Sequence, residues 1–136
     1  NWNDFPVKKN KTKVQDLHLH HLIIQHKDQF VVEQRPQNGI WAGLYQFPNL
    51  EAKTQSKLEP LLNQEKSPSL INMHWEPMPT LDKHLLSHRT IYAHAFRTSI
   101  TNKPTDLPDH WQWVNRSELL KLPVSRLMEK LLNNVL

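Results

Sequence analysis

The amino-acid sequence predicts an α+β protein (mixed α/β), in which a mixed β-sheet is flanked by helices and followed by a C-terminal amphipathic helix. One observation is the side-chain alternation across residues 91–96, which has the two-residue period of a strand. Another is the order of the patterns, with strands on both sides of a short central helix. A third is an apolar stripe at helical spacing near the C-terminus, formed by Val124, Leu127, Met128, Leu131, Leu132 and Val135.

The first part of the chain contains strand patterns joined by turns. Residues 14–24 and 30–32 are apolar, and the polar residues 26–29 between them predict a hairpin turn. Residues 37–39, Gln-Asn-Gly, predict a type I′ turn, since Asn-Gly accepts positive φ at both central positions. The aromatic residues 40–48 predict a third strand, which Pro48 ends because proline lacks a backbone donor.

A short helix and a further strand are predicted in the middle of the chain. Residues 56–59, Ser-Lys-Leu-Glu, have the form of a capping box that begins the helix. Pro60 restricts where this helix starts, since proline is tolerated only in the first turn. Residues 66–69 are predicted to form a loop, and residues 70–75 a strand.

The last part of the chain is predicted to contain two strands and two helices. Residues 85–100 form one long extended element, and residues 101–109, with two prolines, form a loop. Residues 111–114 are the last strand. Ser117 is the predicted N-cap of a short helical turn, and Pro123 the predicted first residue of the terminal helix.

Length and composition fit one domain. The chain has 136 residues, of which 38% are hydrophobic, enough for a single core. No stretch approaches the roughly 18 consecutive apolar residues of a transmembrane helix, so no membrane contact is predicted. The chain begins Asn1-Trp2-Asn3 without an initiator methionine, which we interpret as a fragment whose start lies upstream in a longer protein.

The balance of charge suits an anionic partner without requiring one. The formal net charge is +4, a value that nucleic-acid-binding domains share with many other small domains. The N-terminal arm is either a solvated linker or a phosphate-binding segment. Its basic residues are Lys8, Lys9, Lys11 and Lys13.

Candidate metal ligands are sparse. The chain contains no cysteine, which excludes disulfides, thiolate zinc sites and iron–sulfur ligation within these residues. His18 and His20 would share one face of a strand, with His21 beside them. No carboxylate or thiol nearby in the sequence completes a ligand set, so no metal site is predicted.

Several motifs resemble one family. Residues 35–48, RPQNGIWAGLYQFP, resemble the R-P-x-x-G-x-W-x-G-L-[YW]-x-F-P signature of the C-terminal domains of MutY-type adenine DNA glycosylases. Residues 86–89, Leu-Ser-His-Arg, resemble the [FL]-[ST]-H motif of the same domains. Phe5-Pro6-Val7-Lys8 at the start, and residues 113–114 and 122–125 near the end, also match. The resemblance covers essentially the whole chain, in the family's order.

The resemblance implies both a fold and a role. Residues 14–136 would form a Nudix-like domain that recognises 8-oxoguanine opposite adenine in double-stranded DNA. Residues 1–13 would form a basic linker from an absent N-terminal catalytic domain. That domain would carry the glycosylase activity and a 4Fe-4S cluster, whereas this fragment would be non-catalytic and cofactor-free. We expect a monomer in the cytoplasm of a bacterium, associated with the nucleoid.

Ser87 has the chemistry that an 8-oxoguanine reader needs. Guanine N7 is a hydrogen-bond acceptor, whereas the oxidised base carries N7–H and an oxygen at C8. A hydroxyl can rotate to accept from N7–H, so Ser87 fits. The resemblance implies that Ser87 contacts the oxidised guanine and that His88 touches the neighbouring backbone. Leu86 stands where the family often has an aromatic residue.

The predicted DNA-binding residues also include basic side chains, which can contact phosphates. They are Arg35, Arg89, Lys8 and Lys9, in addition to Leu86, Ser87 and His88. Structural roles are the alternatives for part of this set. Arg35 would instead brace the turn or pair with an acid. Trp41, Leu44 and Phe47 would pack in the core, and the two glycines of the chain, Gly39 and Gly43, would meet backbone requirements.

Two other function classes stay open. A Nudix hydrolase needs the pattern G-x5-E-x7-R-E-U-x-E-E-x-G-U, whose glutamates hold Mg²⁺. With the pattern aligned at Gly43, its charged positions fall on Asn49, Lys57, Leu58, Leu61 and Leu62. Leucine binds no metal, which argues against hydrolysis. A protein-interaction module on a degenerate Nudix fold is the other alternative, with residues 66–69 and 101–109 as docking loops.

Overall fold

A computed structural model describes residues 15–79, 83–86 and 89–136 of the chain. For Gln15, His84 and Leu86 the description covers the backbone. The predicted basic arm, residues 1–13, lies outside the described residues, as do Ser87 and His88.

The described residues form eight strands and four helices. The strands are β1 (Gln15–His26), β2 (Gln29–Gln34), β3 (Tyr45–Gln46), β4 (Asn49–Ala52), β5 (Glu76–Pro77), β6 (His84–Leu86), β7 (Arg89–Ser99) and β8 (Gln112–Asn115). The helices are α1 (Leu58–Asn63), α2 (Pro68–Asn72), α3 (Arg116–Leu119) and α4 (Arg126–Val135).

The sheet is mixed, as the sequence predicts. Its centre is the parallel pair β1 and β7, in register from Gln15↔Arg89 to Gln25↔Ser99. Strands β2 and β4 run antiparallel to β1, while β5 and β6 run antiparallel to β7. Strands β3 and β8 extend the sheet beyond β2, both antiparallel to it.

Helices cover both faces of this sheet. On one face Ile23 and Ala95 pack with Met128 and Leu131 of α4, in a cluster that also contains Phe47. On the other face the core cluster contains Leu22, Ile24, Leu61 and Leu62 of α1, and Leu70 of α2. The predicted α+β fold with flanking helices is confirmed, and the α4 stripe is core as predicted: Leu127, Met128, Leu131, Leu132 and Val135 are all buried.

The two strongest strand predictions are also confirmed. β1 and β2 form a hairpin whose end residues His26 and Gln29 pair, and Lys27 takes a φ of 54° in the turn. β7 shows the predicted alternation, with Ile91, Ala93 and Ala95 directed into the core. The predicted single element 85–100 is instead two antiparallel strands, β6 and β7.

The signature region forms a loop where a tight turn and a strand were predicted. A type I′ turn needs positive φ at both Asn38 and Gly39, and only Gly39 has it. Trp41 and Gly43 also take positive φ, so residues 40–43 turn instead of extending. The strand prediction 40–48 is therefore wrong except at β3. Gly43 has a φ of 74°, a conformation that L side chains rarely adopt, so the backbone at this position favours glycine.

The central helices differ from the prediction in their caps. The N-cap of α1 is Lys57, with no side-chain hydrogen bond, and the Ser56 hydroxyl donates to the Thr54 carbonyl, so the predicted capping box is absent. Residues 68–72 form α2, which corrects the predicted loop 66–69 and strand 70–75. Ser67 Oγ accepts from the Leu70 N–H, and Pro68 follows it at the helix start, an N-terminal signal that outweighs the short apolar alternation.

The C-terminal helices begin at other residues than predicted. Asn115, not Ser117, caps α3: its Oδ1 accepts from the Glu118 N–H at 2.8 Å, and Glu118 Oε1 accepts from the Asn115 N–H at 2.9 Å. Ser125 caps α4 by accepting from the Met128 N–H. Pro123 precedes this cap, and its carbonyl accepts from the Tyr45 N–H at 2.9 Å, which ties the approach to α4 to β3.

Candidate nucleic-acid interface

The ends of β6 and β7 frame the predicted lesion-reading residues. Leu86, the last residue of β6, pairs with Arg89, the first residue of β7. Ser87 and His88 are the two residues between them in the sequence and lie outside the described residues. The structure therefore fixes the backbone on both sides of this dipeptide. Arg89 is half-buried.

Leu85 is the most exposed apolar side chain near these strand ends. Its pairing with Thr90 places it on the opposite sheet face from the Arg89 side chain, because side chains alternate along a strand. The Leu85 side chain is 72% exposed. Leu85 therefore presents apolar surface to solvent two residues before Ser87.

The N-terminal end of β1 lies beside Arg89. Gln15 and Arg89 are in parallel register, so the chain enters the sheet at the strand end that frames Ser87 and His88. Lys8 and Lys9 precede this entry point in the sequence and lie outside the described residues. The strand pairing thus brings Leu86, Arg89 and the start of β1 together.

Arg35 lies away from the strand ends of β6 and β7. It braces the signature loop, which connects β2 to β3. Its Nε donates to the Ile40 carbonyl at 3.0 Å, and its Nη1 lies 3.2 Å from Glu51 Oε2. Glu51 pairs with Leu19 of β1, four residues from Gln15, or about 13 Å along the strand. The side chain is only 10% exposed, which matches the bracing role. Its contact with DNA stays a prediction.

The aromatic residues of the signature serve the fold. Phe47 is fully buried, 6.3 Å between ring centroids from Phe30. Trp41 is half-buried and packs with Ile40 against the core residues of β1 and β7. Their positions confirm the packing interpretation for these two side chains.

A polar cavity of about 220 Å³ lies next to Arg35. Glu33 lines it and accepts hydrogen bonds from the Gln46 side chain at 2.7 Å and from the Asn49 N–H at 3.1 Å. Burial raises the pKa of the Glu33 carboxyl, and these hydrogen bonds oppose the shift. His110 approaches Glu33 at 3.4 Å from the exposed rim.

The residues at the hydrolase positions do not fit a magnesium ion. Leu61 and Leu62, which stand where the Glu-Glu pair would be, are buried in the core between α1 and the sheet. Within residues 15–79, 83–86 and 89–136, no three histidine, aspartate or glutamate side chains are placed to hold a metal ion. No hydrolytic step follows from these residues.

The sequence predicts only part of a cluster of aromatic rings on β1 and β7. His18 stacks on Tyr92 at 4.6 Å and His20 on His94 at 5.0 Å between ring centroids. The period of a strand predicted that His18 and His20 share a face. Their contact with His94 depends on the parallel register of β1 and β7, and no local pattern indicates it.

The fold and these contacts define the family of the chain. A model of the NUDIX domain family matches residues 20–134, and the chain therefore belongs to this family. More particularly, the chain is similar to the adenine DNA glycosylase of Buchnera aphidicola subsp. Schizaphis graminum, with 30% identity over 56 residues. This match spans 41% of the chain and 16% of the length of that relative.

Solved structures agree with this assignment of the fold. The C-terminal domain of mouse MUTYH, in a complex with human PCNA, superimposes with a TM-score of 0.69 at 18% identity, covering 86% of this chain and 85% of that one. The NUDIX domain of Shewanella oneidensis NrtR, in a complex with ADP ribose, has a TM-score of 0.62 at 12% identity, covering 95% and 91%. The Nudix-like fold that the sequence motifs implied is thereby confirmed. No helix among the described residues is long and apolar enough to cross a membrane.

Proposed function

We propose that this chain is the lesion-recognition domain of an adenine DNA glycosylase. It binds double-stranded DNA that contains 8-oxoguanine opposite adenine and directs removal of the adenine. The observation that carries the proposal is the pairing of Leu86 with Arg89, the two residues that flank Ser87 and His88 in the sequence of this NUDIX family chain. The similarity to an adenine DNA glycosylase supports the same role.

The surroundings of the dipeptide support contact with DNA. Arg89 supplies positive charge at the strand end, and Gln15, the first described residue of β1, pairs with it. Leu85 offers an exposed apolar side chain on the other face of β6. The two faces of this strand end therefore differ in chemistry, with basic Arg89 on one and apolar Leu85 on the other.

Each residue has a chemical role in this proposal. The Ser87 hydroxyl accepts a hydrogen bond from N7–H of the oxidised guanine, which unmodified guanine lacks. His88, Arg89, Lys8 and Lys9 contact phosphates, which fix the position of the domain without reading sequence.

The chemistry of base removal belongs to a separate N-terminal domain of the same protein. Adenine is extruded from the duplex before its glycosidic bond is cleaved, since the reacting atom is inaccessible inside the stack. The resemblance to MutY-type glycosylases implies a 4Fe-4S cluster in that domain, and this chain has no cysteine that could ligate one. This chain itself is non-catalytic and monomeric, and works in the bacterial cytoplasm at the nucleoid.

Replacing Ser87 by alanine is expected to weaken binding to a duplex with 8-oxoguanine opposite adenine by about 10- to 100-fold, since one base contact contributes roughly 1–3 kcal/mol of discrimination. Binding to the duplex with guanine opposite adenine should weaken less, because guanine has no N7–H from which the hydroxyl could accept and offers only an acceptor to which it can donate. Fluorescence anisotropy with labelled duplexes at low salt measures both affinities.

Ser99→Ala is the matched control, because Ser99 is an exposed serine at the opposite end of β7. It should leave both affinities unchanged. Equal affinity of the unmodified chain for both duplexes would contradict lesion reading by this domain. No measurable affinity for either duplex would favour a protein-interaction module, for which residues 66–69 and 101–109 are the candidate surface, since Ser69 and residues 101–104 line one groove.

A further inference from the structure

His20 is fully buried in β1 and contacts the chain on both sides of residues 51–55. Its Nδ1 lies 3.0 Å from the Leu50 carbonyl oxygen, and its Nε2 lies 3.4 Å from the Ser56 backbone nitrogen. A carbonyl can only accept and a backbone N–H can only donate, so Nδ1 carries the proton and Nε2 is bare. Two backbone groups thus select one neutral tautomer of His20.

His18 and His94 form a second contact beside it. His18 Nδ1 lies 3.0 Å from His94 Nε2. The ring centroids are 5.2 Å apart, and the ring planes differ by only 4°. The rings therefore meet edge to edge, almost in one plane, around a single shared proton. Two N–H groups would have to face each other at this contact only if both rings carried protons on both of their nitrogens.

The surroundings disfavour positive charge on these rings. Burial lowers the pKa of His20 and of His94, and the neighbouring histidines add to the effect in both cases. The titratable groups that face the rings are the other histidines, Tyr92 on β7, and the exposed Asp16 on β1, two residues before His18. Lys53 and Lys57 are exposed in the segment that leads to α1.

We propose that His20 is an acid-sensitive latch, which holds the segment between β4 and α1 on the sheet while neutral and releases it when Nε2 is protonated. Protonation turns the acceptor for the Ser56 N–H into a second donor, so the two groups repel. The device is local, because the Leu50 carbonyl still accepts from Nδ1–H after protonation.

Nuclear magnetic resonance of the chain from about pH 7.5 to about pH 3.5 tests the latch directly, since burial moves the titration of His20 below the ordinary histidine range. Imidazole nitrogen shifts should show His20 as the Nδ1–H tautomer at neutral pH. As the pH decreases, the chemical shift of the Ser56 amide should change with the same midpoint as the chemical shifts of the His20 ring. The Gly43 amide, which donates to the Pro36 carbonyl away from these rings, should not move with it.

His20→Gln removes the titrating group and should abolish the Ser56 transition. The matched control is His26→Gln, because His26 also contacts a backbone carbonyl, that of Thr101, but lies at the partly exposed end of β1. This control should keep the transition. A neutral His20 with its proton on Nε2, or a Ser56 amide that does not follow the His20 ring, overturns the proposal. Both are read from the unsubstituted chain, so the result stands even if His20→Gln fails to fold.

Discussion

Replacing Phe47 by alanine is expected to lower the free energy of unfolding by about 3–5 kcal/mol, the usual loss for a fully buried phenylalanine. Phe47 has no exposed surface and packs on Phe30 in the cluster between the sheet and α4. Its backbone N–H also points at the Met128 sulfur at 3.4 Å. Phe47 directly follows β3, which leads out of the signature loop. The cavity left by the substitution would therefore loosen the attachment of that loop to the core.

Urea denaturation followed by tryptophan fluorescence measures this loss, because the linear dependence on denaturant gives the free energy in water. Leu120→Ala is the matched control, since Leu120 is 62% exposed and an exposed substitution changes stability by less than about 0.5 kcal/mol. A loss below about 1 kcal/mol for Phe47→Ala, with an unchanged denaturant slope, would contradict the place of Phe47 in the core.

Acidification is expected to destabilise the fold through His21. Burial is the largest cause that lowers the pKa of His21, from 6.5 to about 4, although its ring has a hydrogen bond with the His94 backbone. The side chain is 2% exposed, and its Nδ1 has no hydrogen-bond partner. The unfolded chain takes up the proton more readily than the folded one between these two pKa values. Stability is therefore complete above about pH 6.5 and falls as the pH decreases toward 4.

Between about pH 7.5 and pH 4, protonation of His21 in the unfolded chain is expected to lower the free energy of unfolding by about 3 kcal/mol. Each unit of pKa difference corresponds to about 1.4 kcal/mol. Urea denaturation across this range in the unsubstituted chain and in His21→Leu measures it. Glu33 acts with the opposite sign, because burial raises the pKa of its carboxyl, so the difference between the two proteins is the informative quantity. Leu120→Ala, which removes an exposed side chain and no titratable group, should retain the slope of the unsubstituted chain. Equal slopes in the unsubstituted chain and His21→Leu would show that His21 is not held neutral.

The sequence predicts most of the fold wherever a local pattern decides it. The β1–β2 hairpin, the alternation along β7 and the stripe of α4 are all local, and the structure contains each of them. The predictions are wrong where a helix N-cap decides the local structure. Ser67-Pro68 starts α2, and Asn115 with Glu118 forms the capping box of α3.

The candidate site was less accessible to prediction because it depends on non-local pairing. The family motif indicates Leu86 to Arg89, but the register of Gln15 with Arg89 places the start of β1 beside them. Likewise His94 meets His18 and His20 only through the parallel pairing of β1 with β7, which connects residues more than 70 positions apart in sequence. The signature loop needs positive φ at Trp41 as well as at both glycines, and the local sequence does not predict this at tryptophan.

The most direct test of lesion recognition is a nuclear magnetic resonance titration of this chain at low salt with two duplexes that differ only in 8-oxoguanine or guanine opposite adenine. The proposal predicts that the amides of Ser87, His88 and Arg89 shift selectively with the oxidised duplex, and that Ser87→Ala removes the difference. Identical shifts with both duplexes, confined to the lysine arm, would contradict it, because the domain would then contact phosphates without reading the lesion.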